Sequence, residues 1–100
     1  MSITGMNHAV LYVRDARAHE RFYREVLGFE ANIEDYDGKY VFMRAPGSSN
    51  HHDIAFFTVG ENASASLAGK ASVGLYHLAW EVSTLGELAE VREELARQGC

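Results

Sequence analysis

Three histidines carry the chemistry this sequence could perform. His8 lies near the start of the run Met6-Asn7-His8-Ala9-Val10-Leu11-Tyr12-Val13, and His77 holds the same place in Leu75-Tyr76-His77-Leu78-Ala79-Trp80-Glu81-Val82. Neutral imidazole is a good ligand for Zn, Fe, Ni or Cu, and two imidazoles with a carboxylate make a facial triad that leaves positions open for substrate and oxygen. A lone histidine in a strand is more often a satisfied core or edge residue than a ligand. The repeat is what lifts these two above that reading, because their matched positions need an explanation of their own. His52, in the pair His51-His52, is the third. Its side-chain pKa near neutrality suits a general acid or base. A solvated loop end beside Asn50 explains the pair equally well. Adjacent strand residues face opposite sides, so only one of the two could enter a cleft.

The elements that must position these groups follow from pattern. In the first run His8, Val10 and Tyr12 share one face, with Ala9, Leu11 and Val13 on the other, as in a strand. Asp15 is a natural N-cap for a helix bearing Phe22, Tyr23, Val26 and Leu27, and Gly28 suits its left-handed stop. Strands follow over Phe29–Tyr36 and Lys39–Ala45, joined by the hairpin signal Asp37-Gly38. After the loop Pro46-Gly47-Ser48-Ser49-Asn50, a fourth strand is expected over His52–Val59, with His52, Ile54 and Phe56 on one face. Residues 1–60 thus read as one βαβββ module and 61–72, small and polar, as a linker. Residues 73–100 read as the first strand and helix of a second module. Thr84 and Glu87 form a capping box for that helix, which carries Leu85, Leu88, Val91 and Leu95.

Other groups are weaker candidates. Glu81 shares a face with His77, but residues two apart in a strand are about 6.6–6.8 Å apart along the axis, awkward for joint ligation. It reads as a polar cleft residue or cross-strand partner. Tyr12 and Tyr40 could reach a cleft with their hydroxyls, though aromatic packing is the commoner role. His19 sits near the polar flank of its helix and is given no function.

Composition bounds the rest. The 100 residues with net charge −5 allow one small domain and argue against nucleic acid or an anionic membrane as partner. No apolar run is long enough to span a bilayer. No secretory signal is visible at the N-terminus, and the single Cys100 cannot form an internal disulfide, so a reducing cytoplasmic setting is expected. The second module lacks the strands that the first has after its helix. A continuation beyond Cys100 is therefore expected, or completion of the open sheet by another chain.

Gly5-Met6-Asn7-His8-Ala9-Val10-Leu11-Tyr12-Val13, the helix end Phe22-Tyr23-Arg24-Glu25-Val26-Leu27-Gly28-Phe29, and Gly74–Val82 together resemble the vicinal oxygen chelate superfamily. That group includes glyoxalase I, the extradiol dioxygenases, methylmalonyl-CoA epimerase and the bleomycin- and fosfomycin-resistance proteins. The resemblance implies an α+β fold of paired βαβββ modules, a concave mixed sheet with helices outside. His51-His52-Asp53-Ile54-Ala55-Phe56 is most similar to extradiol members. In those terms His8 and His77 would be metal ligands for Fe(II), or for Mn(II) or another divalent metal. A glutamate is expected after Cys100 as third ligand, and His52 would be the catalytic acid–base group. Val10, Tyr12, Ile54 and Phe56 would bind a small aromatic diol, cleaved with O2. A homodimer is implied as well. The same fold also serves glyoxalase- or epimerase-type enzymes and non-catalytic binding or resistance proteins.

Overall fold

The computed structural model describes residues 1–34 and 37–100. They fall into two compact units, Met1–Ala63 and Ser64–Cys100. The first unit contains β1 (Ala9–Val13), α1 (Ala16–Leu27), β2 (Glu30–Glu34), β3 (Tyr40–Arg44) and β4 (Ile54–Thr58). These strands form one mixed sheet in the order β1-β4-β3-β2. β1 runs parallel to β4, with Ala9 opposite Ile54 and Tyr12 opposite Phe57. β4–β3 and β3–β2 are antiparallel. The predicted α+β order of the first module is the observed one. Its strands are trimmed at their ends, and the predicted strand residues Asp35 and Tyr36 lie outside the described residues.

The sheet has two chemically distinct faces. Val41, Met43, Ile54 and Phe56 are buried on one, and α1 covers them, with the rings of His19 and Tyr23 centred 5.0 and 5.1 Å from that of Phe56. Burying such side chains is the main force holding helix to sheet, about 1.5–3 kcal/mol for each large one. Val10, Tyr12, Tyr40, Phe42 and Phe57 belong to the opposite face. There Phe57 stacks on Tyr40 at 5.5 Å and meets Phe42 edge-on at 5.8 Å. His19, expected near a polar flank, instead packs inward, its Nδ1 3.2 Å from the Asp15 carbonyl oxygen.

Both ends of α1 are fixed as the sequence leads one to expect. The Asp15 side chain accepts from the Arg17 N–H at 3.0 Å. Gly28 takes φ 76° at the C-terminal stop, after which Phe29 docks edge-on against Tyr23 at 5.1 Å, the apolar contact typical of such stops. Thr58 ties three elements together. Its hydroxyl accepts from the Ala16 N–H at 2.8 Å and donates to the Gly38 carbonyl at 2.6 Å. Gly38 itself is buried at φ 72°, and a Cβ there would come within 2.7 Å of Arg17 Nε.

In the second unit, α2 (Leu85–Arg97) begins at the expected capping box: Thr84 accepts from the Glu87 N–H, and the Glu87 carboxylate accepts from the Thr84 N–H. The strand expected over residues 73–82 is not formed. That segment is irregular, and the described residues of this unit contain only an isolated bridge, Ala68 to Ser72. The apolar alternation is present, but a strand exists only through a ladder with a neighbour. β1 obtains that ladder from β4, and among the described residues no strand pairs with 73–82.

Replacing Thr58 by Val keeps its shape but removes both hydrogen bonds, leaving the Ala16 N–H and Gly38 carbonyl unpaired. Chemical unfolding should show a loss of about 1–3 kcal/mol, with Thr58→Ser recovering most of it.

Candidate functional site

The candidate site grows from the loop between β3 and β4, organised by one carboxylate. Asp53 Oδ2 accepts from the Ala45 N–H at 2.8 Å, while Oδ1 accepts from the Ser48 hydroxyl and the Asn50 side-chain amide, each at 2.8 Å. The Asp53 backbone also joins the sheet, its N–H donating to the Met43 carbonyl at 2.8 Å and its carbonyl accepting from the Ala9 N–H at 3.1 Å. Partial burial pushes the Asp53 carboxyl upward. The hydrogen bonds from Ala45, Ser48 and Asn50 and the nearby His52 outweigh it and hold the group below the usual carboxylate range.

This turn sets the direction of His52. Because residues 51–53 do not continue the strand, the alternation that would place His52 with Ile54 and Phe56 is broken. His52 lies over the open face, its ring edge-on to Phe42 at 5.0 Å and 4.4 Å from that of His8. The sequence expectation that Ile54 and Phe56 line a cleft is therefore corrected. They are 0% and 1% exposed in the layer under α1, where a substrate has no room. Val10 and Tyr12 are on the exposed face, at 51% and 83%, and Tyr12 meets Phe57 edge-on at 6.5 Å. Tyr40, expected either to reach a cleft or to pack, does pack there on Phe57, whereas Phe42 and Phe57 received no role from spacing.

The parallel pairing of β1 and β4 puts His8 beside His52. His8 Nδ1 is 2.8 Å from the Asn7 side-chain oxygen. His51 Nδ1 lies 3.0 Å from His52 Nδ1, so in the neutral pair one nitrogen donates and the other accepts. The His51 carbonyl accepts from the Asn32 side-chain amide. Burial, then the neighbouring His8 and His51, lower the His52 pKa against a small opposing pull from Asp53. His52 is consequently neutral, and able to accept a proton, at neutral pH.

His77 belongs to the second unit, on the irregular segment, where its ring meets that of Tyr76 at 5.0 Å. Among the described residues no cluster of three or more His, Cys, Asp or Glu side chains is arranged to hold a metal ion. His8 suits a single ligand position: a histidine whose one ring nitrogen is engaged by an amide oxygen offers the other to a divalent ion.

Residues 5–100 match the model of the Glyoxalase/Bleomycin resistance protein/Dioxygenase superfamily. Among solved structures, a glyoxylase/bleomycin resistance protein/dioxygenase domain from Frankia sp. EAN1pec is similar, with TM-score 0.77 and 25% identity over 98% of this chain and 71% of that one. An integron cassette protein from the mobile metagenome of V. cholerae gives TM-score 0.62 and 25% identity, over 99% and 70%. A lactoylglutathione lyase from Agrobacterium tumefaciens shares the fold at TM-score 0.66 and 22% identity, over 99% and 73%. No curated protein matches significantly.

Two outcomes follow from the titrating groups. The folded pKa of Asp53 is depressed, so its contribution to stability is complete above the unfolded carboxylate value, about 3.9. Denaturant midpoints should fall as pH drops from there through the lower folded value, and Asp53→Asn should remove that component. His52 should titrate by NMR below the ordinary histidine value of about 6.5, moving up toward it in His8→Ala.

Proposed function

Because the chain belongs to the glyoxalase/bleomycin resistance protein/dioxygenase superfamily, we propose that it is a divalent-metal-dependent enzyme of the extradiol type, opening the ring of a catechol-like diol with O2. The observation that carries this reading is the pair of imidazoles, His8 and His52, with ring centres 4.4 Å apart beside the aromatic side chain of Phe42. A ligand-type histidine, a neutral proton acceptor and an aromatic wall are together what chemistry on an aromatic diol requires. A reducing cytoplasmic setting, which the lone Cys100 fits, suits Fe(II). In this reading the working protein is a homodimer.

His8 would supply one imidazole ligand to a divalent ion. When bound, the ion would lower the pKa of the diol hydroxyls and hold the two reactants in orientation. The remaining work falls to the chain's own side chains. Tyr12, Phe42 and Phe57 offer ring faces and edges to an aromatic substrate. With His52 donating from Nδ1 to His51, its Nε2 is the basic atom and takes a proton from a substrate hydroxyl. His51 then stabilises the resulting imidazolium by accepting from it.

Anaerobic loading of the protein with Fe(II), followed by catechol and oxygen, tests this reading. Oxygen uptake with a coloured ring-fission product is expected. His52→Gln should lower kcat by about 10²–10⁴-fold with metal content unchanged, whereas His8→Ala should lose the metal. Activity with Zn, Ni or Co and no oxygen uptake would move the site to the glyoxalase or epimerase reading. A protein that retains no metal would be a binding scaffold.

A further inference from the structure

The loop and β1 are connected by a chain of side-chain amides whose donor and acceptor ends can be oriented in only one way. Asn50 Nδ2 lies 2.8 Å from Asp53 Oδ1 and 3.2 Å from the Asn7 backbone carbonyl. A carboxylate oxygen and a peptide oxygen only accept, so this end of Asn50 must be its NH2 group. The Asn50 Oδ1 is left facing Asn7, and Asn7 Nδ2 donates to it at 3.3 Å. The Asn7 side-chain oxygen is thereby turned toward His8 Nδ1, 2.8 Å away. An amide oxygen cannot donate, so Nδ1 of His8 must carry the proton. In the neutral ring, Nε2 then holds the free electron pair.

We propose that Asn7 and Asn50 are positioning residues that carry acceptor polarity from the Asp53 carboxylate to His8, fixing the Nδ1–H tautomer and leaving Nε2 as the electron-pair donor of the site. The tautomer assignment stands on hydrogen-bond geometry alone. Its consequence for a metal rests on the functional reading above. Both asparagines lie beside groups given roles there, and the bonds described engage them with Asp53, His8 and each other. Their effect is to decide which nitrogen of His8 keeps its free electron pair. Outer-shell partners of this kind commonly change metal affinity by about 10–100-fold.

Long-range ¹H–¹⁵N NMR on the ¹⁵N-labelled full chain, at a pH where His8 is neutral, reads the tautomer directly and needs no variant. The expected result is a protonated Nδ1 and a bare Nε2. A bare Nδ1 would overturn the proposal. Asn7→Ala should shift His8 toward the Nε2–H form, while Asn7→Asp, which keeps an acceptor, should retain Nδ1–H. An unchanged tautomer in Asn7→Ala would also overturn it. Calorimetric titration with Co(II) alone should show about 10–100-fold weaker binding in Asn7→Ala and recovery in Asn7→Asp. If the tautomers behave as expected and Co(II) does not bind the wild type, the polarity relay stands and the metal-dependent reading fails.

Discussion

The Asp53 carboxylate is the constraint on which the candidate site depends. Placing an anion where it is partly removed from water is unfavourable unless hydrogen bonds replace the lost solvation. Here a backbone N–H, a hydroxyl and a side-chain amide do so. That requirement closes the loop after β3 and aims His52 over the sheet. Through Asn50 it also reaches Asn7, just before β1. The carboxylate itself need not meet any ligand. Its contribution is geometric, and it is reinforced by its own backbone, which pairs with Met43 on one side and Ala9 on the other.

A second level of organisation is the separation of the sheet's faces. One face is closed by α1 and fully dry at Met43, Ile54 and Phe56. The other carries aromatic rings in contact with one another and with His52. Both sets come from the same strands by alternation, so the residues that stabilise the unit and those available for binding occupy interleaved positions. β4 illustrates the economy: Ile54 and Phe56 serve the core, Phe57 the open face, and Thr58 the joint between helix and hairpin.

Much of this was legible in the residues. Alternation in Ala9–Val13 gave the correct faces of β1, because both faces differ in burial and the strand is regular. Asp15, Gly28 and the Thr84–Glu87 box marked helix ends through local hydrogen bonding that needs no tertiary context. His52 failed as a strand-face prediction for a physical reason. The alternation rule assumes an extended backbone, and Asp53 spends its side chain on the preceding loop, bending the chain just before Ile54. The strand expected around His77 failed because apolar alternation specifies a face to bury and cannot itself supply a hydrogen-bonded neighbour. Phe42 and Phe57 went unassigned since aromatic residues at strand spacing carry no mark of which layer they enter.

The parallel pairing of β1 with β4 has a kinetic consequence. Asn7 and Asn50, which meet in the finished unit, are 43 residues apart along the chain, and α1 and the β2–β3 hairpin intervene. Hairpins and helices form from near neighbours, whereas joining distant segments must first overcome loop-closure entropy. The imidazole pair therefore comes into being only with the most non-local strand pairing of this unit. A chain that has acquired its helix and hairpin, but has not yet closed that pairing, already has most of the unit's secondary structure and none of its candidate site.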